Sequence, residues 1–506
     1  MKTPFWLMLL TLSIALPALS DVSDEMEIEE VSFYGQRSVS HSSSAKAKET
    51  TFHRRVIAPP ISDESVLSET SKNILNPPNS TKHNATLTHD TATKTASLHP
   101  DMNGIDQHHH FTPRYQLTRN ERLLTKKAQY YLERNRNKST GLWDSVQGYT
   151  HSTMWDVASG IAGTLALEAL NLKSKEQTHL ELGKTLTTLR QMPLYKGWLP
   201  NREYSTKTGM PSGRLSSTPS NGNGWSALDI GRLLIWLKIL SQQHPELEEE
   251  ILDLLSYWEL NKAIHKGTLY GTKLYNGKEY YRQEGRHGYL QYAATGFQLF
   301  GYKVPLPDIN DYISSIEISG TTLDIDNRNV PFMTSDPYVL ASLEFGQHDS
   351  WNQISSIYSL HKQHSKKENK LFSYAEDAMN KNPWFAYNNL FYYGKSWTSV
   401  SPGGKVIENP QILSHKVAFG FSVIFDDVFS QQLYQAVLSN SLQARSIPTG
   451  QYENGGTNTA FNINTNSLIL VALWYKQNGK QPLLHPTIDD LKHQEISKNE
   501  AELQQD

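Results

Sequence analysis

Six stretches of the chain share one pattern: a polar loop rich in Gly or aromatic residues, then a run of apolar and small residues with few charges. They begin near His151, Gly222, Arg286, Ser335, Ser414 and Asn464. A run that is apolar nearly all round predicts a helix buried on every side. Between several of these runs lie charged, amphipathic stretches, residues 174–191, 245–260, 349–364 and 428–444, each with one wet face. Those predict outer helices. Another helix is predicted from Thr118, where Thr118 and Glu121 have capping-box spacing and Leu123, Leu124, Ala128, Tyr131 and Leu132 recur at helical intervals. Buried helices alternating with outer ones predict an all-α fold, a closed double ring or (α/α)6 toroid. The six starts are unequally spaced, so no strict sequence repeat underlies it. Strand content is expected to be minor, with short β-hairpins in the loops at residues 267–281 and 403–407.

The pattern also divides the chain. Residues 1–20 combine Lys2, an apolar run over 5–16 and small residues at Ala18 and Ser20, which reads as a secretory signal peptide. An uncleaved anchor is the alternative, but the run is shorter than the ~20 residues a spanning helix needs. Residues 21–110 are rich in Ser, Thr, His, Asn and Lys, with only Phe33, Tyr34 and Phe52 as aromatics. Such a segment buries too little apolar area to offset chain entropy and is expected to be disordered. Residues 111–483 form the aromatic-rich body, and 484–506 a polar tail. The expected location is therefore the periplasm or the exterior, with no stable membrane insertion after the leader is removed.

Composition narrows the chemistry. There is no cysteine, which excludes disulfides, thiol nucleophiles and thiolate metal sites. Basic and acidic residues number 48 and 51, so no basic surface invites nucleic acid. Dinucleotide, phosphate-loop, HExxH and EF-hand signatures are missing from the sequence, and no cofactor or metal site is expected. His108-His109-His110 lies in the flexible segment without a partner shell.

In a closed helical ring the loops entering the inner helices gather at one end. That end carries aromatic residues beside carboxylates, a composition suited to sugars, whose CH faces stack on rings and whose hydroxyls bind carboxylates. Glycoside hydrolysis needs two carboxyl groups, one protonated and one ionised. Glu284, just before the Gly285-Arg286-His287-Gly288 turn, is the first choice for the general acid; Asp156, Asp336 and Glu453 are candidates for the second carboxylate. Trp143, Trp155, Trp225 and Tyr338 are candidate sugar platforms, with Asp229, Arg286 and His287 as further substrate contacts. Each has a structural reading beside it. Glu284 can pair with Arg286 or Arg282, Asp156 can answer a helix dipole, Asp229 can pair with Arg232, and Asp336 can cap a helix before Pro337. Glu376-Asp377 reads as a solvated charge pair.

Seven motifs carry a resemblance: GYTHSTMWDVAS (148–159), LPNREY (199–204), GWSALDIGRLL (224–234), RQEGRHGYLQYAA (282–294), TSDPYVLASLEFG (334–346), YENGG (452–456) and NTNSLIL (464–470). In their order and spacing, residues 117–483 resemble an uncharacterised bacterial domain family related to glucoamylase-like (α/α)6-barrel proteins, among them β-1,2-glucan hydrolases. Asp336 stands where that family often has Glu. The resemblance implies a helical barrel and a polysaccharide or oligosaccharide partner. The expected function is a glycoside hydrolase or transglycosylase on a bacterial polysaccharide, with a β-glucan favoured through the family link. Two alternatives stand beside it: a non-catalytic glycan-binding or polysaccharide-assembly protein, and a lyase using Tyr and His on the same ring.

Overall fold

The computed structural model describes residues 115–212, 222–275, 278–307, 309–328, 331–346 and 350–484. The expected leader, the polar segment with its histidine triplet and residues 485–506 lie outside the described residues.

Eleven α-helices occur among the described residues. The first, α1 (Arg119–Arg134), starts where the sequence predicts. Thr118 accepts the Glu121 N–H at 3.2 Å, and Glu121 accepts the Thr118 N–H at 2.7 Å. The six apolar runs become α2 (Met154–Ala169), α4 (Ala227–Gln243), α6 (Tyr289–Gln298), α7 (Asp336–Glu344), α9 (His415–Ile424) and α11 (Ile463–Gln477). Burial on all sides follows the prediction: every residue of α2 from Met154 to Leu167, and of α4 from Ala227 to Leu237, is buried. The amphipathic stretches become α3 (Lys175–Gln191), α5 (Glu248–Ser256), α8 (Ile354–Glu368) and α10 (Val428–Ser441). Helix α3 buries only Thr178, Leu182, Thr185, Leu186, Thr188 and Leu189, one stripe of its surface.

The inner helices pack in chain order. Helix α2 lies on α4, α4 on α6, α6 on α7, α7 on α9, α9 on α11, and α11 returns to α2. Backbones approach closely at the α4–α6 contact. A Cβ on Gly231 would lie 2.5 Å from the Ala293 carbonyl oxygen, and one on Gly296 would lie 1.9 Å from that of Gly231. Only glycine fits at either position.

Strand content corrects the all-α expectation. The hairpin of Thr268–Tyr275 with Lys278–Gln283 was expected, and its outer neighbour Gly224–Trp225 pairs with it. The 403–407 loop is not a hairpin; the strand lies before it, at Lys395–Val400. That strand joins a four-stranded sheet with Glu376–Ala378, Phe385–Tyr392 and Phe332–Met333. Between α6 and α7 the chain forms a second hairpin, Ile313–Ile318 with Thr321–Asp326, where an outer helix would complete the alternation. Among the described residues no helix is long and apolar enough to cross a membrane.

Glycine substitutions should divide by position. Gly296→Ala is expected to lower stability by about 1–3 kcal/mol or more, because the new methyl meets backbone. Gly183→Ala, on outer helix α3 with only Leu247 Cδ2 at 3.8 Å, should raise it by up to ~1 kcal/mol through helix propensity. Thermal unfolding of the two variants beside the parent chain reads both signs.

Candidate active site

Side-chain contacts bring the first turns of the inner helices together. Asn464 at the start of α11 donates to Asp156 of α2 at 3.0 Å. Tyr289 of α6 packs against Trp155 of α2, ring centroids 5.7 Å apart. Asp336 of α7 pairs with Lys416 of α9. Carboxylates in a first turn meet the positive end of the helix dipole. They fall into two groups.

The first group is Asp229, Glu284 and Arg202. Glu284 follows the hairpin strand, its N–H donating to the Leu269 carbonyl at 2.9 Å. Its carboxylate crosses Gly271 of the facing strand, where a Cβ would lie 1.9 Å from Oε1. It accepts the Ala227 N–H at 2.7 Å and is ion-paired with Arg202. Arg202 is fixed by donating from Nε to the Thr272 carbonyl at 3.0 Å. Glu284 keeps 14% of its side chain exposed, so it reaches solvent. Asp229, two residues beyond Ala227, is buried, and its Oδ2 makes no hydrogen bond. Burial, then the neighbouring charge of Glu284, pushes the Asp229 carboxyl up to about 8, with Arg202 opposing. Two carboxyl groups flanking the start of α4 thus differ sharply in environment.

The second group is Asp336, Glu376, Asp377 and Lys416, all buried. Lys416 Nζ donates to the Glu376 carbonyl at 2.6 Å and lies 3.5 Å from Asp377. Asp336 Oδ2 accepts the Glu376 N–H at 3.0 Å and the Thr334 hydroxyl at 3.1 Å. Burial and the Asp336 charge hold the Glu376 carboxyl well above the usual range. Burial also raises Asp377, to about 6, against the pull of Lys416. One ammonium among three carboxyls cannot neutralise them all, and a proton takes the place of the missing cation.

Several sequence expectations are corrected here. Glu376-Asp377 is no solvated pair; both lie on a buried strand facing Lys416. Glu284 pairs with neither Arg286 nor Arg282. Arg286 is buried and turns back on its own loop, donating to Gln283 Oε1 at 2.9 Å and the Gly285 carbonyl at 2.8 Å. Arg232 turns from Asp229 to Glu344, 3.8 Å away, and covers Trp155 at 4.4 Å. Asp336 is the first residue of α7, with Ser335 at the cap, so its carboxylate is available to Lys416. Glu453 is 44% exposed and paired with Lys370 at 3.6 Å, outside either carboxyl group. Asp156 is held by Thr153 and Asn464 and serves the helix start.

The four proposed platforms are all at most 2% exposed, so none offers a ring face to a sugar. Trp143 packs on Gly160, where a Cβ would come within 2.1 Å of the indole. Trp225 Nε1 donates to the Tyr270 carbonyl at 3.1 Å. Tyr338 and His287 are joined at 2.8 Å and buried, and burial lowers His287 to about 4. That buried pair does not present the accessible Tyr and His a lyase needs. Half-exposed rings lie elsewhere: Tyr149, stacked on His151 at 4.5 Å and donating to Glu203 at 3.0 Å, and Tyr281, which is 41% exposed. Sequence reasoning missed Arg202 and Glu203, although both lie inside the LPNREY motif.

No curated protein matches the chain. Solved structures do, at low identity. A glucoamylase-like protein from Bacteroides fragilis superposes with a TM-score of 0.55 at 12% identity, covering 75% of this chain and 97% of that one. The endo-β-1,2-glucanase of Chitinophaga pinensis, in complex with sophorotriose and glucose, gives 0.52 at 10%, covering 72% and 95%. The β-1,2-glucanase of Parabacteroides distasonis gives 0.50 at 10%, covering 74% and 58%. These likenesses extend to the fold. Residues 124–479 match the family described as protein of unknown function DUF3131, and the chain belongs to that family.

Proposed function

We propose that this chain is an exported glycoside hydrolase or transglycosylase on an (α/α)6 toroid, with a β-1,2-linked glucan as the first substrate to test. One observation carries the reading: Asp229 and Glu284 flank the first turn of α4 in opposite environments. A carboxyl kept protonated by burial beside a second carboxyl that reaches solvent is a setting for acid–base chemistry. Asp229 holds a proton up to about pH 8. Glu284, the member that reaches solvent, is assigned the general acid that protonates the leaving glycosidic oxygen, taking its own proton from solvent. Asp336, paired with Lys416, is assigned the second carboxylate role. Half-exposed Tyr149 and Tyr281 would supply ring faces to the sugar. The fold neighbours named as β-1,2-glucanases support the substrate class, and the apolar leader supports export to the periplasm or beyond.

Purified chain is incubated with linear β-1,2-glucan, then with other glucans and bacterial exopolysaccharides, and new reducing ends are measured. Glu284→Gln should lower turnover by about 10²–10⁴-fold; undiminished turnover removes Glu284 from the chemistry. Binding without turnover by the parent chain would instead make it a glycan-binding protein.

Asp229 also sets a pH dependence. Its carboxyl ionises near 3.8 when unfolded and near 8 when folded. The folded state therefore binds more protons between those values, and stability falls as pH rises through the window. Asp229→Asn removes that slope. Relative to the parent it should gain stability steadily from about pH 4 to about pH 8, on the order of a few kcal/mol, while losing activity. Thermal midpoints at both ends of the window, with turnover beside them, give the answer.

A further inference from the structure

At the opposite end of α4, the helix stops at His244, which is fully buried. Its two ring nitrogens face two carboxylates. Nε2 lies 2.9 Å from Glu168 Oε2 on the last turn of α2, and Nδ1 lies 3.1 Å from Glu246 Oε1. Glu246 sits in the short turn Pro245–Leu247 before α5. A second imidazole comes from outer helix α3: His179 Nδ1 is 3.8 Å from the same Glu246 oxygen and makes no hydrogen bond. The three donor atoms of His179, His244 and Glu246 lie within 4.8 Å of one another.

We propose that His179, His244 and Glu246 form a site for a divalent transition metal of the zinc class, which clips α3 to the α4–α5 turn. Two imidazoles and a carboxylate are a zinc donor set, leaving one position for water. Ligand distances near 2.0–2.1 Å place tetrahedral donors about 3.3 Å apart. The His244–Glu246 spacing already fits, and His179, 40% exposed on its helix, closes the rest by a side-chain rotation. Glu168 gives the strongest support. A metal-binding imidazole commonly donates its other N–H to a carboxylate, which fixes the tautomer and aims the free nitrogen at the metal. With the Nε2 N–H donating to Glu168, Nδ1 is the nitrogen directed at the cluster. Lys175 Nζ, 3.3 Å from Glu246, is 53% exposed and can swing into solvent. The donors are scattered along the sequence, so no spacing motif announces them.

The test uses the full chain with His108, His109 and His110 replaced by alanine, so that the triplet cannot contribute. After chelator treatment it is titrated calorimetrically with zinc chloride. One equivalent should bind and raise the thermal midpoint. His179→Ala and Glu246→Gln, both at 40% exposed side chains, should each weaken binding at least about tenfold. Glu168→Gln should weaken it by about 10–100-fold with the helical circular dichroism unchanged. Cobalt(II) in place of zinc should give the intense visible bands of a four-coordinate ion in the parent and lose them in His179→Ala. Absence of stoichiometric binding, or zinc affinity and cobalt spectrum unaltered by His179→Ala, would overturn the site.

Discussion

Helix N-termini that meet at one place must be satisfied there, and the rest of the structure answers to that demand. Each brings unpaired N–H groups and a positive dipole end. Thr153, Ser226 and Asn462 each accept the N–H of the third residue of α2, α4 and α11. Asp156, Asp229 and Asp336 place carboxyl groups in the first turns of α2, α4 and α7. What stabilises the helix starts therefore also concentrates acidic groups where those starts meet. Like charges crowded in a buried setting cannot all stay ionised. The displaced carboxyls of Asp229 and Glu376 are the result, and chemistry becomes available from a packing requirement.

Cations set the surroundings of both carboxyl groups. In the first group Arg202 goes to Glu284, the more exposed member, and the Asp229 carboxyl behind it is pushed up by burial. In the second, Lys416 pairs with Asp336, and burial beside Asp336 holds the Glu376 carboxyl well above its usual range. Removing Lys416 would leave Asp336 a buried carboxylate without its partner, which is costly. Arg202 also donates to the Thr272 carbonyl. It thus ties the hairpin that carries Glu284 to the loop before α4, and the same side chain sets both geometry and charge.

Much of the fold was legible because it rests on local pattern. Runs apolar on every side became inner helices, and the Thr118–Glu121 box marked a helix start to the residue. Strands were less legible because their partners are distant. Phe332–Met333 pairs with Phe385–Tyr392 across an intervening helix pair. The site failed in the same way. Glu284 and Asp229 were recognisable as chemistry-bearing residues, but Arg202, Glu284's partner, lies far back in the chain. Glu376-Asp377 looked wet because Lys416 is on another helix. The tryptophans misled for a further reason: composition counts rings, but it does not tell whether Gly160 already occupies the face of Trp143.

Helix α4 joins the two ends of this account. At its start, the Ala227 N–H is held by Glu284 and Asp229 projects from the third position. At its finish, His244 is held by Glu168 of α2. Helices α2 and α4 are thus tied at the far end through Glu168 and His244, while Glu284 holds the start of α4. Between them every side chain of α4 from Ala227 to Leu237 is buried, and Gly231 locks against α6. A helix fixed at both ends and along its length cannot shift to relieve the desolvation of Asp229. That rigidity explains why a carboxyl can be kept protonated near neutral pH instead of finding water. The proposed metal clip at the far end would hold the outer helix against the element whose position sets the Asp229 carboxyl.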